Sequence, residues 1–90
     1  MVKYQVEIFG RESCPYCQRA KNILEELKVA GIADGVYHDM IVEGITKEDI
    51  AARIGKEVRT VPQVFVNGNH VGGCDNFVAF LTAEGVKFSH

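Results

Sequence analysis

The sequence has few cysteines, no long apolar run and no excess of basic charge, and each of these shortages excludes a class of protein. Three unevenly spaced cysteines are too few for the disulfide framework of a small secreted domain. No apolar stretch is long enough to cross a bilayer, and polar residues interrupt Met1–Phe9 too often for a signal peptide. Ten basic and twelve acidic residues give a formal net charge of -2, and the basic residues are not clustered in a run. We therefore expect no membrane or nucleic-acid partner, and a reducing cytoplasm as the compartment.

The composition that is present is typical of a globular protein. Of the 90 residues, 47% are hydrophobic and 24% are charged, which suits one small domain with its own core. The chain has no internal repeat, no low-complexity segment and no linker-like stretch. We predict a single domain over residues 1–90, and nothing in the sequence demands more than a monomer.

The first half of the chain alternates between strand and helix patterns. Apolar and polar residues alternate over 4–8, which predicts a strand with one buried face. From Pro15 onward the apolar residues follow a helical period instead, and Gly31 and the 34–35 Asp-Gly pair are expected to end this helix. A second strand is then predicted over residues 36–42. A strand, a long helix and a strand imply a right-handed parallel crossover.

The second half predicts a helix and a hairpin. Thr46 is the expected N-cap of the helix, with Asp49 at its third position. Strands are predicted at 63–66 and 70–72, because the Asn67-Gly68 pair between them is a strong signal for a two-residue hairpin turn.

The last helix is predicted from about Asn76 to Glu84. The full order is therefore β-α-β-α-β-β-α. It predicts an α/β fold in which a small mixed four-stranded sheet is flanked by three helices.

The motif Cys14-Pro15-Tyr16-Cys17 lies where the first strand gives way to the first helix. Pro15 suits the first helical position, which places Cys14 at the N-cap. There the free amides of the first turn and the helix dipole favour a thiolate, so we predict Cys14 as the nucleophile. Cys17 falls on the apolar stripe of the helix and is predicted to be shielded and to resolve the mixed disulfide. Arg11 adds positive charge near the thiolate.

The other interpretation of two cysteines at this spacing is half of a zinc site. Such a site needs two more ligands, and His70 and Cys74 are the only plausible donors. Their spacing does not match a second knuckle, so the pattern favours redox chemistry and no metal is expected.

Two further segments carry binding chemistry. Val61–Pro62 precedes the third strand, and either a cis or a trans bond fits the local sequence. A cis bond would leave the Val61 backbone free to pair with an extended peptide. Gly73 and Asp75 flank Cys74, and Asp75 is the expected N-cap of the last helix. The loop could bind an amino-acid terminus through amides and a carboxylate, or could simply be a capped helix after a glycine turn.

The CPYC motif, the TVP motif of Thr60 to Pro62 and the GGCD motif of Gly72 to Asp75 occur in the order found in glutaredoxins, and the chain resembles that family over nearly its whole length. The resemblance implies a thioredoxin fold and glutathione as cosubstrate. It also implies reduction of protein disulfides and of protein–glutathione mixed disulfides. Carried over by position, the catalytic residues are Cys14 and Cys17, and the glutathione-binding residues are Arg11, Tyr16, Arg59, Thr60, Val61, Pro62, Gly73, Cys74 and Asp75.

The resemblance also assigns roles within this set. Tyr16 would pack beside the glutathione sulfur, and the Val61 backbone would pair with the cysteinyl unit beside a cis Pro62. The Cys74 amide and Asp75 would contact the γ-glutamyl end. Arg11, and with less support Arg59, would face the glycyl carboxylate.

The chain departs from the family pattern at three places. Asn76 stands where many members have a second aspartate, Arg11 stands in place of a lysine, and the 55–59 stretch looks longer than in the shortest relatives. Arginine keeps the charge but changes the geometry of a carboxylate contact. Cys74 is predicted to be a loop thiol without a catalytic duty, and a regulatory role through oxidation stays open.

Two alternative functions remain at this point. Some glutaredoxins share an iron–sulfur cluster between two chains, although their dedicated carriers usually have a single active-site thiol. A thioredoxin-like hydrogen donor, for example to ribonucleotide reductase, is the other alternative. The expected partners are therefore glutathione and disulfide-containing or glutathionylated proteins, with ribonucleotide reductase among the candidates.

Overall fold

Four strands form one mixed sheet, and helices pack against both of its faces. The structure, a computed structural model, describes residues 2–89. The elements in chain order are β1 (Tyr4–Gly10), α1 (Pro15–Val29), β2 (Ala33–Asp39), α2 (Met40–Glu43), α3 (Lys47–Ile54), β3 (Gln63–Val66), β4 (Asn69–Gly72) and α4 (Cys74–Ala83). The strand order is β2-β1-β3-β4, with β1 parallel to β2 and antiparallel to β3. The predicted α/β class and mixed four-stranded sheet are confirmed, and a short fourth helix, α2, is added.

Each face of the sheet buries its own apolar cluster. Alternate residues of β1 point to opposite faces, so Val6 and Ile8 enter the larger cluster with α1 and α4, whereas Phe9 enters the smaller one. Phe65 of β3 contacts Phe9 in that smaller cluster, with ring centroids 5.7 Å apart. The alternation seen in the sequence therefore matches the pleat of the central strand.

The second strand was predicted three residues too late. The structure has β2 at Ala33–Asp39, and Asp39 caps α2 by accepting hydrogen bonds from the N–H groups of Ile41 (3.0 Å) and Val42 (3.1 Å). Gly35, expected in a turn, lies inside β2, where a Cβ would collide with the Val6 carbonyl oxygen. The glycine therefore allows close approach of two strands and does not mark a turn.

The second helix and the hairpin match their predictions closely. Thr46 Oγ1 accepts from the Asp49 N–H at 3.1 Å and Asp49 Oδ2 accepts from the Thr46 N–H at 2.8 Å, which completes a capping box. Asn67 (φ 52°) and Gly68 (φ 82°) both have the positive φ that a tight turn between β3 and β4 requires. β4 begins one residue earlier than expected.

The last helix begins two residues earlier than predicted, at Cys74. Its N-cap is Gly73, so the prediction that Asp75 is the N-cap is wrong. Asn76 takes over the capping function, since its side-chain oxygen accepts from the Gly73 N–H at 3.1 Å. Asp75 is left exposed at the second helical position. Within residues 2–89, no helix is both long enough and apolar enough to span a membrane.

Candidate active site

The topology brings the three sequence motifs to one edge of the sheet. β3 runs antiparallel to β1 with Phe9 opposite Gln63, so the end of β1 lies beside the start of β3. β4 runs back along β3, with Gly72 paired to Val64. The CPYC, TVP and GGCD segments are therefore neighbours in space although they are far apart in the chain.

Cys14 is the N-cap of α1, as predicted from Pro15 at the first helical position. Its backbone is extended (φ -95°, ψ 116°), and its Sγ accepts a hydrogen bond from the Cys17 N–H at 3.2 Å. The thiol faces the Val61 carbonyl oxygen at 3.7 Å. No acidic residue lies in the first turn of α1, where the free amides and the positive end of the helix dipole face the sulfur. The Cys14 sulfur is partly exposed.

Cys17 lies one turn further along α1 and is fully buried, with an exposed fraction of 0%. Burial, with a further contribution from the hydrogen bond to Cys14, raises the pKa of Cys17 to about 12. The thiol is therefore neutral at physiological pH. Cys14 is the sulfur that an external disulfide can reach, and Cys17 is placed to act only after it.

A shallow groove with a volume of about 240 Å³ includes Val61 in its lining, and the carbonyl oxygen of Val61 is the one that the Cys14 thiol faces. The Val61–Pro62 bond in its wall is cis. Its lining residues come from all three motifs and from the residue that follows the last one: Tyr16, Thr60, Val61, Pro62, Gly73, Cys74, Asp75 and Asn76. Seven of these eight belong to the predicted glutathione-binding set, and Asn76, noted only as a departure from the family pattern, is the eighth.

The two predicted arginines do not line this groove. Arg59 is largely exposed and its Nε lies 3.2 Å from Glu57 Oε1, so its guanidinium is engaged with a neighbouring carboxylate. Arg11 is exposed in the loop before Cys14 and contributes its carbonyl, which accepts from the Cys14 N–H at 3.3 Å. A role of either arginine in ligand binding stays a prediction.

A pair formed by the buried Gln63 and the half-buried His70 beneath the TVP motif escaped the sequence analysis. Gln63 Nε2 donates to the Thr60 carbonyl at 2.9 Å, and its Oε1 lies 2.6 Å from His70 Nε2, which must then be the donor. Burial, with a smaller effect of Lys56, lowers the pKa of His70, which therefore stays neutral at pH 7. The pair holds the turn that presents Val61. The signal available in the sequence was Gln63, a polar residue at a strand position that faces the core.

Cys74 differs from its prediction as a loop thiol. It is the first residue of α4 and only 4% exposed, and burial raises the pKa of its thiol. Cys74 is therefore neither in a loop nor exposed, and a regulatory role through oxidation stays a prediction. Among residues 2–89, no group of three or more His, Cys, Asp or Glu side chains is arranged to hold a metal ion.

Comparison with known proteins decides the family. The sequence model of glutaredoxins matches residues 6–71. A glutaredoxin of Haemophilus influenzae is 51% identical over 81 residues, which cover 88% of this chain and 92% of that protein. The chain belongs to the glutaredoxin family. Glutaredoxins are thiol–disulfide oxidoreductases, and the two thiols at the start of α1 provide the chemistry for that activity in this member.

Solved glutaredoxin structures share the fold. The NMR structure of reduced Escherichia coli glutaredoxin superimposes with a TM-score of 0.77 at 46% identity, covering 88% of this chain and 94% of that one. A crystal structure of a buckwheat glutaredoxin–glutathione complex superimposes with a TM-score of 0.65 at 28% identity, covering 89% of this chain and 69% of that one. The predicted thioredoxin fold is confirmed.

Proposed function

We propose that this glutaredoxin uses glutathione to reduce protein disulfides and protein–glutathione mixed disulfides. The observation that carries the proposal is a groove walled by Tyr16 and by the TVP and GGCD segments. The Cys14 sulfur lies 3.7 Å from the carbonyl oxygen of Val61, which belongs to that wall. A structural neighbour from the same family is described as a complex with glutathione. The groove offers a peptide-like wall at Val61 and an exposed carboxylate at Asp75, which suit the backbone and the ammonium group of a γ-glutamyl tripeptide.

The binding roles follow from the chemistry of each wall. The Val61 backbone would pair with the cysteinyl unit, as an added strand does. The first-turn amides of α4 have no partners within the helix and would donate hydrogen bonds to the γ-glutamyl carboxylate, while Asp75 would hold the ammonium group of the same unit. Tyr16, 58% exposed, would cover the sulfur of the bound tripeptide.

The reaction uses the two thiols in turn. The Cys14 thiolate attacks a substrate disulfide, forms a mixed disulfide with one sulfur and releases the other as a thiolate. In the dithiol route, Cys17 then loses its proton and attacks Cys14, which releases the second substrate thiol and leaves a Cys14–Cys17 disulfide. Two glutathione molecules reduce that disulfide and leave as oxidised glutathione.

A coupled assay tests the proposal directly. The protein is mixed with glutathione, glutathione reductase and a small mixed disulfide of glutathione, and the consumption of NADPH is followed. We expect turnover by the parent protein, none by Cys14→Ser, and retained turnover by Cys17→Ser, since a mixed disulfide with glutathione needs only one protein thiol. A parent protein that turns over only with thioredoxin reductase would overturn glutathione dependence in favour of a thioredoxin-like donor.

The same variants separate the two substrate classes. With a protein disulfide as substrate, such as that of ribonucleotide reductase, Cys17→Ser should lose most activity because the mixed disulfide is no longer resolved. Activity of Cys17→Ser equal to that of the parent on this substrate would contradict the dithiol route. Action as a monomer in the cytoplasm is part of the proposal, and sedimentation and cell fractionation check it.

A further inference from the structure

The hydroxyl group of Tyr37, on the neighbouring strand β2, lies close to the buried sulfur of Cys17. Tyr37 lies on β2, and its Oη donates a hydrogen bond to the Arg11 carbonyl at 3.2 Å. A Cβ built on Gly10 would lie 2.6 Å from Tyr37 Oη and 2.8 Å from Cys17 Sγ, so both atoms crowd the same point above Gly10. The absence of a side chain at Gly10 is what lets the hydroxyl approach the sulfur.

Several charged and titratable groups surround the Tyr37 hydroxyl and the Cys17 sulfur. Lys21 of α1 lies over the Tyr37 ring at 5.2 Å from its centroid. Burial first, then the nearby Cys17, Asp39 and Cys14, raise the pKa of Tyr37, so its hydroxyl keeps its proton when Cys17 ionises. Burial dominates the raised pKa of Cys17, while the Arg11 backbone and the Tyr37 hydroxyl act in the opposite direction. The Tyr37 hydroxyl is therefore protonated at neutral pH and can donate a hydrogen bond.

We propose that Tyr37 is a catalytic hydrogen-bond donor to the resolving sulfur. With Cys17 neutral, its O–H points to the Arg11 carbonyl. When Cys17 ionises, the O–H rotates toward the sulfur and stabilises the thiolate. A hydrogen bond to a charged group is worth more than one to a neutral carbonyl, so the rotation favours ionisation.

The proposal concerns two steps of the proposed dithiol cycle. In resolution, Cys17 gives its proton to solvent, its thiolate attacks Cys14 Sγ, the S–S bond between Cys14 and the substrate breaks, and the substrate thiolate leaves. In reduction, an external thiolate attacks Cys14 Sγ, and Cys17 leaves as the thiolate and then takes a proton from solvent. Tyr37 stabilises the Cys17 thiolate in both steps and takes no part in the attack by Cys14.

The test isolates resolution and contains no glutathione, so its outcome is independent of glutathione dependence. The reduced protein is mixed with one equivalent of an aromatic disulfide that releases coloured thionitrobenzoate. The first release follows attack by Cys14, and the second, first-order release follows attack by Cys17. Tyr37→Phe keeps the ring and the contact with Lys21 and removes only the hydroxyl. We expect an unchanged first phase, a second phase slowed about tenfold, and a pH profile of the second phase moved to higher pH.

Tyr4→Phe is the matched control, because the Tyr4 hydroxyl also donates to a side chain, Glu84 at 2.7 Å, but lies away from the two thiols. It should change neither phase. A second measurement follows the carbon-13 shift of Cys17 Cβ during a pH titration of both variants. Equal second phases and equal Cys17 titrations in the parent and Tyr37→Phe would overturn the proposal. Slowing of both phases to the same extent would also overturn it, since that points to a purely structural role.

Discussion

At the scale of single residues, the three cysteines differ in access although all are free thiols. Cys14 is partly exposed at a helix N-cap, whereas Cys17 (0% exposed) and Cys74 (4% exposed) are buried and burial raises the pKa of both. Alkylation needs a thiolate that the reagent can reach. The reduced protein should therefore take up one label from iodoacetamide at neutral pH.

Peptide mass spectrometry identifies the labelled cysteine. We expect the native label on Cys14 and labels on Cys17 and Cys74 only after denaturation. Cys14→Ser should leave the native protein unlabelled, so this variant controls for labelling of the buried thiols in the folded state. Native labelling of Cys74 at the rate of Cys14 would contradict the burial that we describe for the third thiol.

At the scale of elements, the contact between β1 and β2 depends on Gly35. A Cβ there would press on the Val6 carbonyl, which is part of the sheet backbone and cannot move aside as a flexible side chain can. We expect Gly35→Ala to lower the free energy of unfolding by about 2 kcal/mol or more, as overpacking of a sheet does. Urea unfolding followed by circular dichroism measures this loss.

The neighbouring Val36 provides the control, since it lies in the same strand and its side chain is 54% exposed. Val36→Ala should cost roughly 0.5 kcal/mol or less, as is usual for surface positions. If Gly35→Ala were as mild as Val36→Ala, the glycine would have no role in strand approach. The turn expected from the Asp34-Gly35 pair would still be wrong, because β2 begins at Ala33.

The elements that could be predicted from the sequence are those whose signals are local. The alternation in β1, the Pro15 start of α1, the Thr46 cap and the Asn67-Gly68 turn each involve neighbours in the chain, and each is confirmed. One error arose because a residue is constrained by a distant partner: Gly35 approaches the Val6 carbonyl across the sheet. The other error, at the start of α4, was local, because the sequence offered Asp75 as the N-cap while the Asn76 side chain caps the helix by accepting from the Gly73 N–H.

The same distinction holds for the site. The three motifs were visible because each is contiguous, and the groove that they form follows from the strand order. The Gln63–His70 pair and the position of Tyr37 under Cys17 depend on the register between strands. A period-2 pattern shows which face a residue takes but not which side chain it meets there.

At the scale of the whole molecule, the sheet is covered on both faces, by α1 and α4 on one side and by α2 and α3 on the other. Cys74 belongs to the larger cluster that α1 and α4 cover, and Cys17 of α1 is also buried. On the opposite face, α2 and α3 cover the smaller cluster around Phe9 and Phe65. Arg53 of α3 ties the second layer to β1, with its guanidinium 4.0 Å from the centroid of the Phe65 ring and 2.7 Å from Glu7. The fold therefore buries one reactive thiol while leaving the other at the surface.

Because Cys17 is buried, the stability of the reduced protein should fall as the pH becomes alkaline. The pKa of Cys17 is raised from 9.0 to about 12 in the folded protein. As the pH rises, the unfolded chain therefore loses the proton of this thiol before the folded protein does. The stabilisation is fully present below about pH 9 and is lost as the pH rises toward about 12. One such proton changes the free energy of unfolding by at most about 1.4 kcal/mol per pH unit. Urea unfolding under reducing conditions should therefore show a steeper alkaline decline for the parent than for Cys17→Ala.

Two comparisons make that slope specific to the buried thiol. Cys74→Ala should flatten the decline in the same direction, since burial raises the pKa of that thiol as well. Val36→Ala removes no titrating group and should leave the slope unchanged, whatever it does to stability at neutral pH. If Cys17→Ala and the parent lost stability at the same rate across this range, Cys17 would ionise equally in the folded and unfolded chains. Its burial would then not be what keeps the resolving thiol neutral until Cys14 has reacted.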